Sequence, residues 1–348
     1  MKMFYRQHIA WGLLIVGCLQ FTAVVSGQCL VQDTEQEAAE IDDSIDTEAR
    51  ALEITQELAA RQLTIENIQS DLGVYDQSLV EIYNDLANFY VELEDYDNAV
   101  RYHSEALQIT RINTGLYSHE QIPILDSLIQ NNGRGERWEE VDNLQELYYF
   151  VNSRLFNYED LRYLEAAEIY GNWKLRVVRE NLLAQSGREL LNTAGELSLF
   201  YERVIEGVEL QPAASREDLL AVIYGKSQID LTLARSVART PYTAFEGTEN
   251  PYINQTRCSN VRNSQGQTVR QCFTVQVENP RYRLSQREAK QFALVRHTRQ
   301  ISRSIAMLEG IKNSSTKLSN SEKQQIEVQI AELVTESEQL VQASRRLF

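Results

Sequence analysis

The chain has 348 residues, 43 % of them hydrophobic, so it can bury a real core and wholesale disorder is excluded. Five prolines and fifteen glycines leave room for long helices, and a formal net charge of −16 argues against nucleic acid as a partner. The length suits two ordinary domains or one elongated array of repeats.

Residues 1–27 read as a signal peptide for export. Lys2 and Arg6 give a positive start, Ile9 to Val25 an apolar stretch broken lightly by Gln20 and Thr22, and Ser26 and Gly27 a small-residue cleavage site. The apolar run is close to bilayer-crossing length, so an uncleaved membrane anchor is the alternative. Ile15-Val16-Gly17-Cys18 also resembles a lipobox, which would put a lipid on Cys18, although the residues after Cys18 stay hydrophobic where a lipoprotein turns polar. The expectation is a periplasmic or extracellular protein that meets a membrane only through the signal or such a lipid. In that compartment Cys258 and Cys272 read as a disulfide rather than a metal site, leaving Cys29 free, paired between chains or in a mobile terminus.

Charge is polarised along the chain. Nineteen acidic residues and two basic ones lie between Asp33 and Asp97, whereas eleven basic residues face three acidic ones between Arg257 and Lys312. These are solvated helix faces, or two regions that meet within one molecule or between copies.

In chain order, residues 28–46 read as an acidic mobile lead-in. A helix is expected from Thr47, with Ala51, Ile54, Leu58, Ile65, Ile68 and Leu72 on one face and Gly73 at its end. Residues 47–195 form a helical array and 196–238 additional packing helices. A helical pattern runs from Glu189 to Leu210, and another helix starts at Ser215, where Ser215-x-x-Asp218 resembles a capping box and Leu219, Ile223, Leu231 and Ala234 suit a buried face.

Residues 239–283 change character: Pro241, Pro251, Pro280, Gly247 and Gly266 fall here and the helical period is lost. Cys258 and Cys272 lie symmetrically about Gln265, as do Val261 with Val269 and Arg262 with Thr268. With a polar turn over Asn263 to Gln267, this symmetry predicts an antiparallel β-hairpin stapled by the disulfide. Residues 284–348 predict a helical hairpin. Leu294, Ile301, Ile305 and Leu308 share a face of its first helix. Residues 312–321 turn, Ser321-x-x-Gln324 caps the second helix, and Ile326, Ile330, Leu333 and Leu340 form its stripe.

The segment from Val80 to Ile109 carries Leu86, Ala87 and Tyr90 on a first helix, Tyr96 at the turn, and Ala99, His103 and Ala106 on a second. The spacing recurs 42 residues later: Leu128 and Ile129 stand for Leu86 and Ala87, Asn132 for Tyr90, Trp138 for Tyr96, Val141 for Ala99 and Tyr148 for Ala106. Gly73-x-Tyr75 and Gly115-x-Tyr117 precede the two units. These residues resemble the tetratricopeptide repeat (TPR), in a long-period form like kinesin-light-chain-type arrays; His103 departs from the usual Tyr or Phe, and a third unit around Tyr170-Gly171 matches poorly at Lys174 and Leu183. The fold expectation is mainly α: a TPR-like α-α superhelix with a β-hairpin insertion and a C-terminal helical hairpin.

The resemblance implies a concave groove lined by the first helix of each unit, which on this chain places Asn84, Asn88, Asp126 and Gln130 at the groove. Lysines and arginines of the carboxylate-clamp type are missing there, so a polar or basic segment of a protein partner is expected, in a non-enzymatic adaptor or scaffold that needs no cofactor and no metal. The enzyme class to weigh against it is an envelope hydrolase or lytic transglycosylase with a helical superhelix. Its Gly-Leu-Met-Gln motif is absent, so the Glu336-Ser337 dipeptide stands without its partner motif, and HExxH and G-x-S-x-G are absent as well. No catalytic residue is assigned. Asp95-x-Asp97 lacks the glycine and closing glutamate of a calcium loop and reads as a helix turn.

Overall fold

The computed structural model describes residues 32–211 and 215–345, which fall into two units divided between Gln62 and Leu63. Residues 1–27, expected as a signal, and with them Cys18, as well as Cys29, lie outside the described residues.

The first helix, α1, spans Gln32–Leu72, so it begins well before Thr47 and runs through most of the stretch expected as a lead-in. Glutamate, glutamine and alanine dominate its start. All are good helix formers, and carboxylates near a helix N-terminus are favoured by its dipole.

The second unit opens with the end of α1. Ile65 is buried, and Gln69 donates through Nε2 to the Tyr83 hydroxyl at 2.9 Å. Gly73, at φ +103°, then turns the chain through a conformation that a side chain disfavours. The first helix pair is α2 (Leu79–Glu92) with α3 (Tyr96–Thr114); the second is α4 (Gln121–Arg134) with α5 (Trp138–Leu155). On α2 the apolar stripe Leu79, Tyr83, Leu86 and Ala87 is buried against Ala99, Ala106 and Leu107 of α3. Ala87, Ala99 and Ala106 are 0 % exposed, and their small side chains let the two backbones meet. Asp95 caps α3 by accepting from the Asn98 N–H at 3.1 Å.

The two pairs share backbone detail 42 residues apart. Both first helices have 14 residues, running Leu79–Glu92 and Gln121–Arg134. Each turn carries a glutamate in the left-handed region, Glu94 at φ 57° and Glu136 at φ 54°. Gly115 repeats the conformation of Gly73 at φ +90°. Arg137 links one turn to the other, donating from Nε to Asn132 at 2.8 Å and from Nη1 to Asp97.

The period then stops. The third pair is α6 (Leu161–Glu180) with α7 (Gly187–Glu209), and α6 is 20 residues long where α4 has 14. Lys174 does not fill a repeat position; its ammonium bonds Asp142 of α5 at 2.6 and 2.8 Å, beside Trp173, whose Nε1 donates to the same carboxylate. Ser186 and Glu189 close a full capping box on α7, which is continuous across the boundary expected at residues 195–196.

A single 3-10 turn, Arg216–Leu219, leads into α8 (Leu220–Arg239). The capping box expected at Ser215 does not form: its hydroxyl donates instead to the Glu217 carboxylate at 2.6 Å, a charge-assisted bond that competes with the cap. Leu219, Ile223, Leu231 and Ala234 are buried as expected.

The insertion is a two-stranded antiparallel ribbon, β1 (Tyr252–Arg262) with β2 (Thr268–Glu278). Its register pairs Cys258 with Cys272, Val261 with Val269 and Arg262 with Thr268, and the two cysteines are bonded. The next helix, α9 (Pro280–Ser314), starts earlier than residue 284, because Asn279 caps it and Pro280 supplies a preset first helical residue. It packs on α8 as well as on α10 (Asn320–Arg345). Ser319 rather than Ser321 caps α10. Its N–H and hydroxyl donate to the Glu322 carboxylate at 2.8 and 2.7 Å, where Gln324 could offer only a neutral amide.

The main core runs from Phe156 to Leu333 and joins α6 to α10. Tyr201 of α7, 1 % exposed, lies between two glycines: a Cβ on Gly171 would stand 2.3 Å from its hydroxyl oxygen, and one on Gly225 2.5 Å. That hydroxyl has no hydrogen-bond partner. Gly171→Ala or Gly225→Ala should therefore destabilise by about 1–3 kcal/mol through overpacking. Tyr201→Phe, which removes an unsatisfied polar atom, should be neutral or stabilising. Thermal melts of the three variants check this; a Tyr201→Phe loss as large as either alanine's would contradict it.

Reduction of the Cys258–Cys272 bond, with 14 residues of sequence separation, should weaken the ribbon by roughly 3 kcal/mol while the helices persist. Hydrogen exchange on residues 252–278, read beside helical circular dichroism, measures it. Unchanged ribbon protection after reduction is the contrary result.

Candidate functional site

The repeat-packing residues come together. Leu86, Ala87, Ala99, Ala106, Leu128 and Val141 are buried. Tyr90 stacks on Tyr102 at 5.5 Å and Trp138 leans on Trp173 at 6.1 Å, both half-buried. The four groove positions are less uniform. Asn84 is half-buried and its Oδ1 lies 3.0 Å from His103 Nδ1. Gln130 Nε2 donates to Asp126 at 2.7 Å, both exposed, and Asn88 is exposed.

His103, 2 % exposed, explains its departure from Tyr or Phe: the ring fills the packing position and its Nδ1 meets the Asn84 amide, while Nε2 is buried without a partner. Burial favours the neutral ring and pulls its pKa from 6.5 down to about 4. The unfolded chain therefore binds a proton that the folded one refuses. Stability is full above about pH 6.5 and falls as the pH drops toward 4, by a total on the order of 3 kcal/mol. His103→Phe should flatten urea-unfolding stability across that window; a wild-type curve with no slope between these values would refute the assignment.

Most polar side chains converge elsewhere. α6, α8 and α10 lie side by side, α8 touching both others, and a cleft of about 480 Å³ opens between them. Each helix contributes a row at helical spacing. Glu168, Asn172, Leu175 and Arg179 come from α6; Leu220, Tyr224 and Gln228 from α8; Glu322, Gln325, Ile326 and Gln329 from α10. Buried Leu175, Gly225 and Ile326 form the floor, and the walls are mostly amides and carboxylates. Arg179 Nη2 donates to Gln228 Oε1 at 2.6 Å, which holds α6 to α8 across the opening. Three side-chain amides, Asn172, Gln325 and Gln329, offer both donors and acceptors, the complement of a peptide backbone, and Gln228 adds its Nε2 donors. Two carboxylates against one guanidinium tilt the cleft toward a polar or basic guest.

None of Asn84, Asn88, Asp126 and Gln130 lines this cleft. The signal that could have found it is the recurrence of polar residues four apart on one face, Glu168 with Asn172 and Gln325 with Gln329. The convergence of three distant helices has no counterpart in sequence spacing.

A second polar group is internal. Lys226 and Asp230 of α8 pair at 3.0 Å, 5 % and 1 % exposed, and Ser198 of α7 donates to Asp230 at 2.7 Å. His297 of α9, whose pKa burial lowers against the pull of Asp230, faces the same pair. These groups satisfy one another inside the core and do not line the cleft. His119 lies in a loop, its ring 5.2 Å from Phe156. Among the described residues no group of three His, Cys, Asp or Glu side chains is placed to hold a metal ion.

No family model matches the chain, and no curated protein matches it. Among solved structures it is similar to a Podosopora anserina kinesin light chain protein with nearly identical TPR-like repeats. Identity is 11 % and the TM-score 0.37, over 52 % of this chain and 79 % of that one. A second structure of that protein, carrying a single glutamine-to-methionine substitution, gives 11 % identity and a TM-score of 0.36, over 52 % and 78 %. At such scores neither likeness carries weight, and the TPR-like character of the fold rests on the paired helices and their buried alanines.

Proposed function

We propose that this chain is an exported, non-enzymatic adaptor built on long-period TPR-like repeats, which binds an extended polar or basic segment of a protein partner along α6, α8 and α10. One observation carries the reading: three adjacent helices present polar rows into a single cleft whose walls are amides and carboxylates and whose floor is apolar. An extended strand leaves its backbone N–H and C=O groups unpaired, and Asn or Gln side chains meet both without demanding a particular sequence. Glu168 and Glu322 would favour lysine or arginine on the guest, while Tyr224 and the floor offer it apolar area.

Export follows from the basic start, apolar stretch and small-residue end of residues 1–27. The cell envelope or its exterior is the proposed setting, and the disulfide suits an oxidising compartment. Exposed Asn88, Asp126 and Gln130 would extend the polar track along the first two pairs, whereas Asn84 is engaged by His103.

A photo-crosslinking residue at Asn172 or Gln329, with one at Leu210 as a remote control, tests the cleft in the native envelope. A single polypeptide should be captured from both cleft positions and not from the control. Its affinity for the purified chain should fall at least about tenfold in a Gln228→Ala/Gln325→Ala variant, the loss of about one or two hydrogen bonds. Capture from Asn88 alone would move the site to the first pair. No capture from any of these positions would end the adaptor reading.

A further inference from the structure

The ribbon of β1 and β2 plays no part in the cleft. Alternation along the strands sorts its side chains into two faces. Ile253, Val261, Val269, Phe273, Val275 and Val277 share one face, in the register Ile253–Val277, Arg257–Phe273 and Val261–Val269. The disulfide shares the other with polar residues such as Asn254 and Thr274. No residue of either strand is buried, and on the apolar face Phe273 is 48 % exposed, Ile253 43 % and Val269 41 %. A ribbon that belonged to the core would hide that face.

Its charge is one-sided. From Tyr252 to Arg287 the only carboxylate is Glu278, and it pairs with Arg283 at 2.8 Å. Arg257, Arg262 and Arg270 remain exposed on the strands. The basic excess continues into α9, where Leu284, Phe292 and Val295 fall on one stripe of the helix, 55 %, 77 % and 38 % exposed; exposed Glu288 shares that stripe and is outnumbered by exposed Arg281, Arg287, Arg296 and Arg299.

We propose that this ribbon and the first half of α9 dock on an anionic lipid surface. Charge complementarity calls for a negative occupant, and an apolar face that carries Arg257, with Arg262 and Arg270 at the turn end of the reverse face, is the chemistry of an interfacial membrane contact. The overall negative charge does not forbid it, because charges more than about 10 Å away are screened in physiological salt. A second copy fits less well. The ribbon face by itself, two strands of eleven residues, covers roughly 400 Å², about half of what one side of a stable protein interface buries. Arg257 sits on the apolar face itself, so two such faces together would confront like charges without an acid between them. A lipid surface sets no minimum area, since each inserted side chain adds its own contribution.

The test is co-sedimentation of the full chain with phosphatidylcholine vesicles, with and without phosphatidylglycerol. Binding should require phosphatidylglycerol. It should fall on the order of a hundredfold in an Arg257→Gln/Arg262→Gln/Arg270→Gln variant, at roughly fivefold per arginine. It should fall about tenfold or more in Phe273→Ser/Val275→Ser. These side chains support no core, so helical circular dichroism should be unchanged. A chain that ignores vesicles of both kinds, or that binds them equally with either variant, overturns the proposal. So does a dimer in sedimentation velocity that Phe273→Ser/Val275→Ser dissolves, which would assign the face to a second copy. Arginine-dependent binding of polyglutamate without vesicle binding would assign it to an acidic polypeptide and likewise overturn it.

Discussion

Successive helices in this chain hold together because their backbones meet where side chains are small. Ala87 against Ala99 and Ala106 sets the first pair, and Gly171 with Gly225 leaves the slot that Tyr201 fills. The helices of the first two pairs are apolar on one side, so neither pair can close its own core and each must lean on the next, whereas α8 is enclosed by α6, α7, α9 and α10. The consequence is a continuous core from Phe156 to Leu333, in which a volume error at one crossing is felt by two neighbouring helices.

What the sequence displayed is what repeats locally. The 42-residue offset could be read because turn, cap and crossing each place demands on particular residues, and the left-handed Glu94 and Glu136 show the same backbone answering the same demands. The ribbon register could be read because facing strands place matched residues at equal distances from the turn. The third pair was obscure because α6 is longer than α4, which moves every later landmark off the period. Caps misled where a carboxylate two or three residues on offered serine a stronger partner: Ser215 turned to Glu217, and Ser319 with Glu322 displaced Ser321. The early start of α1 was hidden by charge, which reads as disorder although glutamate is a good helix former.

The site was the least legible part, for a physical reason. Groove positions inferred from one unit assume that a polar side chain on the first helix stays available, yet the amide oxygen of Asn84 is engaged by His103, the residue that departs from the aromatic pattern. The core histidine thus engages an amide of the groove helix. The cleft between α6, α8 and α10 joins residues from Glu168 to Gln329, a span over which no local spacing can report proximity. Its amides are individually ordinary, and only their convergence makes them a recognition surface.

The disulfide is best understood from what the ribbon lacks. Two strands with both faces in water have no core to offset the entropy of ordering them, and an isolated hairpin of this kind is marginal. Had the Ile253 and Phe273 face packed on the helices, burial would have fixed the register and a covalent link would add little. Cys258–Cys272 sits near the middle of the ladder, on the face opposite the apolar one, so it holds the strands together without covering any of the exposed hydrophobic side chains. A ribbon held together by chemistry rather than by packing is free to keep its apolar face open, whereas the helix pairs close on their buried stripes.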